Sequence, residues 1–280
     1  MKTGLVLEGG GIRGIFTNGV LDFFLDEKIV FDYVIGVSAG SLNAYAYISS
    51  VRSLYKNVFD NMDKDSIYGT KEFLDSGKVI NFEKMFSDAV DKHNLDFKKV
   101  MKSNIEWEVV CSNLRSGKAN YFSEHKDLRR IKKISTASCS LPFICDVCFL
   151  DGGYYLDGGI CDSIPVQRAL DMGCDKVVVI CTRRSGKHPS LPFWQLELAR
   201  TTYKKFPFFI DAMVNREKMY LNEQKLINKL EKEGKAIVIR PTIEEIGRLE
   251  QNKEKVNNFY MHGYDSAKNK LENIKSFLGD

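Results

Sequence analysis

The sequence predicts an α/β protein of three layers, α/β/α, with a mostly parallel central sheet and a helical C-terminal extension. Three observations predict it. Two apolar runs near the start, Leu5-Val6-Leu7 and Tyr33-Val34-Ile35, each end in a glycine-rich turn and lead into helical spacing. A third run, Val177-Val178-Val179-Ile180, is rich in β-branched residues, and a fourth follows at Ala236-Ile237-Val238-Ile239. Continuous apolar strands belong to sheets covered on both faces, and the intervening helical segments provide the cover.

After the first strand comes Glu8-Gly9-Gly10-Gly11-Ile12-Arg13-Gly14. Consecutive glycines before a helix let backbone N–H groups converge on an anion, helped by the helix dipole. The helix expected from about Arg13 to Lys28 carries Ile15, Val20, Leu21, Phe24 and Leu25 near one face. Gly9, Gly11 and Gly14 also satisfy Gly-x-Gly-x-x-Gly, but a dinucleotide site needs an acidic residue about 20 positions on, ending the second strand. That strand ends in Gly36-Val37-Ser38, and Asp32 lies at its other end. No Gly-Lys-Ser or Gly-Lys-Thr follows to make a P-loop.

Gly36-Val37-Ser38-Ala39-Gly40 has the form of a nucleophile elbow, in which flanking glycines permit a bend sharp enough to lift a serine hydroxyl above the sheet. The alternative is a plain turn with Ser38 as a helix cap. Beyond it, residues 51–102 form an insertion-like stretch containing Phe59, Phe73, Phe82, Phe86 and Phe97. It is expected to be helical, as a lid or acyl-pocket wall over the site or as an ordinary helical layer. Residues 105–112 and 119–122 read as partner strands, and 163–172 as a covering helix.

A serine needs a base to take its proton. The four histidines, His93, His125, His188 and His262, all sit among charged or polar residues and read as surface groups. A carboxylate stands instead in Tyr154-Tyr155-Leu156-Asp157-Gly158-Gly159, where a strand-like run ends in aspartate. Desolvation can raise the basicity of such an aspartate. Asp151-Gly152-Gly153 repeats the tripeptide, but it separates two strand-like runs and reads as a hairpin turn.

These motifs resemble, in order, those of the patatin-like phospholipases, acyl hydrolases with a Ser and Asp dyad. The family's oxyanion loop corresponds to Gly9, Gly10, Gly11, Ile12, Arg13 and Gly14, its elbow to Gly36 through Gly40, and its Asp-Gly-Gly/Ala element to Asp157-Gly158-Gly159. Ala137-Ser138-Cys139-Ser140-Leu141-Pro142-Phe143 is similar to the Ala-Ser-x-Ala-x-Pro segment, with Ser140 where alanine is more usual. The resemblance implies a patatin-like fold and a catalytic core over residues 1–182. Residues 183–280 complete the domain as a helical part with a strand near 236–240, a tail that resembles the C-terminal segment of some bacterial members.

By that resemblance, Ser38 attacks a fatty-acyl ester of a phospholipid or lysophospholipid, Asp157 accepts its proton, and the N–H groups of Gly10, Gly11 and Ile12 hold the oxyanion. Arg13 supports the loop or meets substrate phosphate. A thioesterase, a neutral-lipid esterase, or a lipid- or nucleotide-binding module without turnover remains the alternative. No cofactor is implied.

The aromatic segments Leu191-Pro192-Phe193-Trp194 and Phe206-Pro207-Phe208-Phe209-Ile210 lie near Arg200, Lys204 and Lys205. Core packing of two helices is the preferred expectation for them, with contact to an anionic bilayer as the other reading. Residues 213–233 read as a long helix with Val214, Leu221, Leu226, Ile227 and Leu230 as its apolar positions. Thr242-Ile243-Glu244-Glu245 resembles a capping box opening a charged helix through Leu271, with Arg248, Glu250, Lys253, Glu254 and Lys255 on a solvated face.

The net charge of +4 is too small to point to nucleic acid, though compatible with acidic lipid surfaces. Seven cysteines, an odd number, favour reduced thiols in a cytoplasmic setting, and Cys145-Asp146-Val147-Cys148 in a strand points its thiols to opposite faces, so no metal site is expected. Neither a secretory signal nor a run of about 18 apolar residues is read, so membrane contact is expected to be peripheral.

Overall fold

The computed structural model describes residues 1–60, 95–186, 192–248 and 250–279. Strand β1 (Thr3–Leu7) leads through a 3-10 turn (Gly11–Arg13) into α1 (Gly14–Asp26), and β2 (Tyr33–Val37) leads into α2 (Ala39–Ser49). Short helices α3 (Leu54–Asp60) and α4 (Phe97–Met101) flank the middle of the expected insertion; Phe73, Phe82, Phe86 and His93 lie outside the described residues.

Next come β3 (Glu106–Asn113), β4 (Lys118–Phe122), α5 (Leu128–Cys139), β5 (Cys148–Leu150), β6 (Gly153–Asp157), α6 (Val166–Asp171) and β7 (Lys176–Ile180). The chain continues through α7 (Phe193–Thr202), α8 (Pro207–Lys232), β8 (Ala236–Ile239), α9 (Lys253–Lys268) and α10 (Leu271–Leu278).

All of these strands join one sheet. In it β3, β2, β1, β7 and β8 run parallel in that order, while β4 and β6 pair antiparallel with β3 and β5 pairs antiparallel with β6. The chain winds from β1 to β2 on one side and reaches β7 on the other. Such a reversal opens a crevice at the carboxyl ends of the strands.

Strand alternation divides the core. Leu5, Leu7, Val109 and Val178 pack with α1, α2 and α9, whereas Val6, Ile35, Val37 and Val179 pack with α6 and α8. These are the three layers.

Four sequence expectations are corrected here. Helix α1 is buried on every face from Gly14 to Phe24, not on one, because α9 covers its outer side. Phe16 packs on Phe259 and Phe23 on Tyr264, with ring centroids 5.5 and 5.2 Å apart. The two helices approach so closely that a Cβ on Gly263 would stand 2.1 Å from the Phe16 carbonyl oxygen. Tyr260 of α9 donates a 2.6 Å hydrogen bond to buried Asp22 of α1.

The tail helix does not start at Thr242. It begins at Lys253 behind Asn252, whose side chain accepts from Lys255 N–H, because Glu245 instead pairs with Arg184 at 2.8 Å. Val214 and Leu221 of α8 are exposed, and its inner face is Phe209, Met213, Tyr220, Ile227 and Leu230. Finally, Phe193, Trp194 and Phe208 are 74%, 63% and 60% exposed and do not pack as core, while Phe209 is fully buried. Among the described residues no helix is long and apolar enough to cross a membrane.

Candidate active site

The register of three strands brings two distant residues together. Val37, the last residue of β2, pairs with Val110 of β3, and the next β3 residue, Cys111, pairs with Asp157 at the end of β6. Ser38 and Asp157 therefore meet beside one point of β3, although they are far apart in the chain.

Ser38 has φ 53° and ψ −122°, a conformation costly for a residue with a Cβ. The turn is held by its surroundings. A Cβ on Gly36 would lie 2.5 Å from the Gly40 carbonyl oxygen, and one on Gly40 would lie 2.4 Å from that of Leu7. Ser38 N–H donates to Ser138 Oγ at 2.9 Å, which ties the elbow to α5. That contact gives the Ala137-Ser138 segment a structural purpose. The Ser38 side chain is 8% exposed.

Asp157 is 4% exposed. Burial raises its carboxyl above the ordinary aspartate range, against the opposing effects of the Ser38 hydroxyl, a 2.8 Å bond from Gly159 N–H, and the charges of Arg216 and Arg248. The Ser38 hydroxyl is a hydrogen-bonding neighbour of this carboxylate and favours its charged form. Asp157 N–H donates to Ser140 O at 2.7 Å.

The glycine loop abuts the serine, since a Cβ on Gly9 would stand 3.1 Å from Ser38 Cβ. Among the described residues the N–H groups of Gly10 and Gly11 donate to no protein acceptor. Ile12 differs from the expectation: its N–H donates to the Arg248 carbonyl at 3.0 Å, so it has no free donor to offer an oxyanion. Gly14 N–H likewise closes the turn on Gly11 and Ile12. Arg13 is buried, and its Nε donates to the Gly10 carbonyl at 3.3 Å, bracing the loop from beneath.

Sequence reasoning missed the groups around this core. Glu8 is buried, accepts from Thr182 N–H at 2.6 Å and Tyr220 hydroxyl at 2.9 Å, and faces Arg183 at 4.0 Å. Arg216, on α8, donates from Nε to the Gly159 carbonyl at 2.6 Å, fixing the residue that orients Asp157. Arg248 was expected on a solvated helix face; instead it lines a cavity of about 530 Å³ with Asp157, Arg183 and Arg216. Phe143, Ile160, Met213, Trp194 and Leu198 form apolar wall of the same cavity. Burial, then the neighbouring arginines, lower the Arg13 and Arg216 guanidinium groups to about 10.

The rival groups lie elsewhere. Asp151 occupies the β5–β6 hairpin turn with φ 49°, followed by Gly152 at 77°, and is clamped by Arg130 at 2.6 Å. His125 contacts the Met101 carbonyl, and His262 accepts from Thr242 N–H; His93 and His188 are outside the described residues. All seven cysteines are free thiols, and among the described residues no cluster of metal-ligating side chains occurs.

Comparison with known proteins adds the following. Residues 5–170 match the family described as patatin-like phospholipase, and residues 206–279 match a domain of unknown function, DUF6363. The chain is 30% identical over 205 residues to YjjU of Escherichia coli K12, an alignment covering 71% of this chain and 57% of that protein. It is 25% identical over 294 residues to lysophospholipase nte1 of Aspergillus terreus, covering 98% of this chain but only 18% of that protein. The chain thus spans less than two thirds of the length of either relative. Among solved structures, VipD from Legionella pneumophila superposes with a TM-score of 0.53 at 14% identity, over 97% of this chain and 67% of that one, which is a likeness of fold.

Proposed function

This chain belongs to the patatin-like phospholipase family, and on that premise we propose that it is a serine acyl hydrolase acting on fatty-acyl esters of phospholipids or lysophospholipids. The observation that carries this reading is the meeting of Ser38, at a strained elbow, with buried Asp157 of raised pKa. Ser38 Oγ attacks the ester carbonyl as Asp157 takes its proton. The tetrahedral oxyanion lies against the N–H groups of Gly10 and Gly11, each such donor being worth about 2.7 to 4 kcal/mol in the transition state. Collapse breaks the ester bond, and the protonated Asp157 returns the proton to the departing alcohol. Water, deprotonated by Asp157, then attacks the acyl-enzyme, and the fatty acid leaves as Ser38 is restored.

The domain reading follows from the same site. Residues 1–182 supply the dyad and the loop, and 183–280 complete the unit, since Arg183, Arg216 and Arg248 line the same cavity as Asp157. Exposed Phe193, Trp194 and Phe208 beside exposed Lys204 and Lys205 support peripheral contact with an anionic lipid surface, next to the cavity that Trp194 lines.

A fluorophosphonate probe followed by peptide mass analysis tests the nucleophile, paired with fatty-acid release from lysophospholipid. An adduct on Ser38 and acyl release that both vanish in Ser38→Ala are expected. A folded protein that neither labels nor releases acyl chains would refute the hydrolase.

A further inference from the structure

Helix α8 turns one face toward the carboxyl ends of the strands. Arg216, Tyr220 and Glu223 lie on that face, as their helical spacing requires. Arg216 and Tyr220 reach the Gly159 carbonyl and the Glu8 carboxylate. Glu223 accepts from two successive backbone groups, Ser163 N–H on Oε1 at 3.0 Å and Ile164 N–H on Oε2 at 3.1 Å.

That clamp stands close to the base. Ser163 Oγ donates to the Gly159 carbonyl at 2.7 Å, and Gly159 N–H donates to Asp157 Oδ1 at 2.8 Å. The Asp157 carboxylate therefore hangs on a short relay that begins on α8 and runs through Glu223, Ser163 and Gly159. Asp162, Ser163 and Glu223 do not line the cavity, so Glu223 acts on the site through the relay and not on a substrate.

Glu223 also carries a cost that stability alone does not ask for. Its carboxyl is hydrogen-bonded to that of Asp162, which accepts from the Tyr121 hydroxyl at 2.8 Å as well. Burial raises the proton affinity of both carboxyl groups, and the Asp162 charge raises that of Glu223 further, so Glu223 holds the proton that joins them. Asp171, Glu8 and Arg216 are the charged groups that face this pair from other positions. Carboxyl groups brought together against their charge are a feature of sites where position serves chemistry. Here the shared proton fixes the direction in which Glu223 offers its oxygens to Ser163 and Ile164.

We propose that Glu223 is a positioning residue for the general base: by holding Ser163 and Ile164 it seats the Ser163 hydroxyl on Gly159, which in turn aims the Asp157 carboxylate at Ser38. This rests on the hydrolase reading for the role of Asp157. It puts a group that governs the dyad in the C-terminal region 206–279, while the dyad itself is carried by the preceding region.

Steady-state hydrolysis of a lysophospholipid by the full chain, followed across pH, tests it. Glu223→Ala is expected to lower kcat about 10- to 100-fold with little change in KM, because the base loses its alignment while the cavity keeps its lining. The acid limb of the kcat/KM profile should also move to higher pH, since the Gly159 N–H bond that favours charged Asp157 slackens. Arg216 and Arg248, the charged groups that face Asp157, are retained. Glu223→Gln keeps one acceptor and a donor for Asp162, and should recover much of both effects. Ser163→Ala cuts the relay one link further on; it should move the limb in the same direction and add less than fully to Glu223→Ala when the two are combined.

A lower kcat with an unmoved acid limb would make Glu223 a support of the fold alone, and a limb moved to lower pH would make its effect one of lost negative charge; either overturns the positioning role. Unaltered kinetics in both single variants does the same. If Glu223→Ala does not fold, Ser163→Ala and Glu223→Gln carry the comparison. A native chain that releases no fatty acid refutes the hydrolase reading instead. Carbon-13 NMR titration of the Asp157 carboxyl, identified by its loss in Asp157→Asn, then still decides whether Glu223 governs that group.

Discussion

The Arg248 carbonyl accepts the N–H of Ile12 at 3.0 Å. One hydrogen bond thereby joins the segment before α9 to the glycine loop after β1, removes Ile12 from the donors available to an oxyanion, and brings the Arg248 side chain to the cavity. The C-terminal region is part of the site's frame.

Ser38 should reveal its backbone cost when its side chain is exchanged. Ser38→Ala and Ser38→Gly are both expected to abolish acyl release, but the glycine variant should melt higher. Relief of the φ 53° conformation is worth about 1 to 3 kcal/mol, or about 2 °C or more in a chain of this size. Equal melting temperatures would mean that the elbow stores no strain.

Asp157→Asn should stop hydrolysis and raise stability at neutral pH. The folded carboxyl binds its proton more tightly than the unfolded one, so native stability falls as pH rises from the ordinary aspartate range through the raised value. A neutral amide escapes that loss. The melting difference should be present above this window and close as the pH drops below about 3.9. In the native enzyme, kcat/KM should decline on the acid side as Asp157 takes its proton. A less stable Asn variant at pH 7 would reverse the sign.

How much of this was legible depended on whether position was fixed locally. Ser38 and its glycines could be read because a strand-to-helix turn is specified by adjacent residues, and Asp157 because it ends a strand before two glycines. Arg216 and Arg248 carry no such mark; one lies in a long helix and the other in an irregular segment, and only packing brings them together. The burial of α9 had a signal that the charges masked, since Val256, Phe259, Tyr260, Gly263 and Ala267 follow helical spacing. Exposed Phe193 and Phe208 ran the other way, since composition alone favoured a core for them.

The exposed aromatics can be tested separately from chemistry. Phe193→Ser with Phe208→Ser should weaken sedimentation with phosphatidylglycerol vesicles by about tenfold or more, since each ring carries apolar surface worth roughly 1.5 to 3 kcal/mol when buried. Hydrolysis of a monomeric short-chain ester is the control, and it should respond far less. Unaltered vesicle binding would remove these residues from any membrane contact.

Gly263→Ala probes the crossing of α9 over α1. The added methyl would stand 2.1 Å from the Phe16 carbonyl oxygen, so the helices must separate, at about 1 to 3 kcal/mol or more. Denaturant midpoints should fall accordingly. Tyr260→Phe, which loses the hydroxyl's bond to Asp22 and its 3.4 Å contact with Ser53 Oγ, should cost about 1.5 to 3 kcal/mol. A neutral Gly263→Ala variant would show that α9 is loosely seated.

The shared pairing of β2 and β6 with β3 also governs where this chain tolerates changes in length. A residue inserted in the Asp151-Gly152 turn is absorbed outside the ladder, but one inserted between Gly153 and Asp157 reverses which side of the sheet each following side chain meets. Lineages of this protein should therefore accumulate insertions at the hairpin tip while β6 keeps its length.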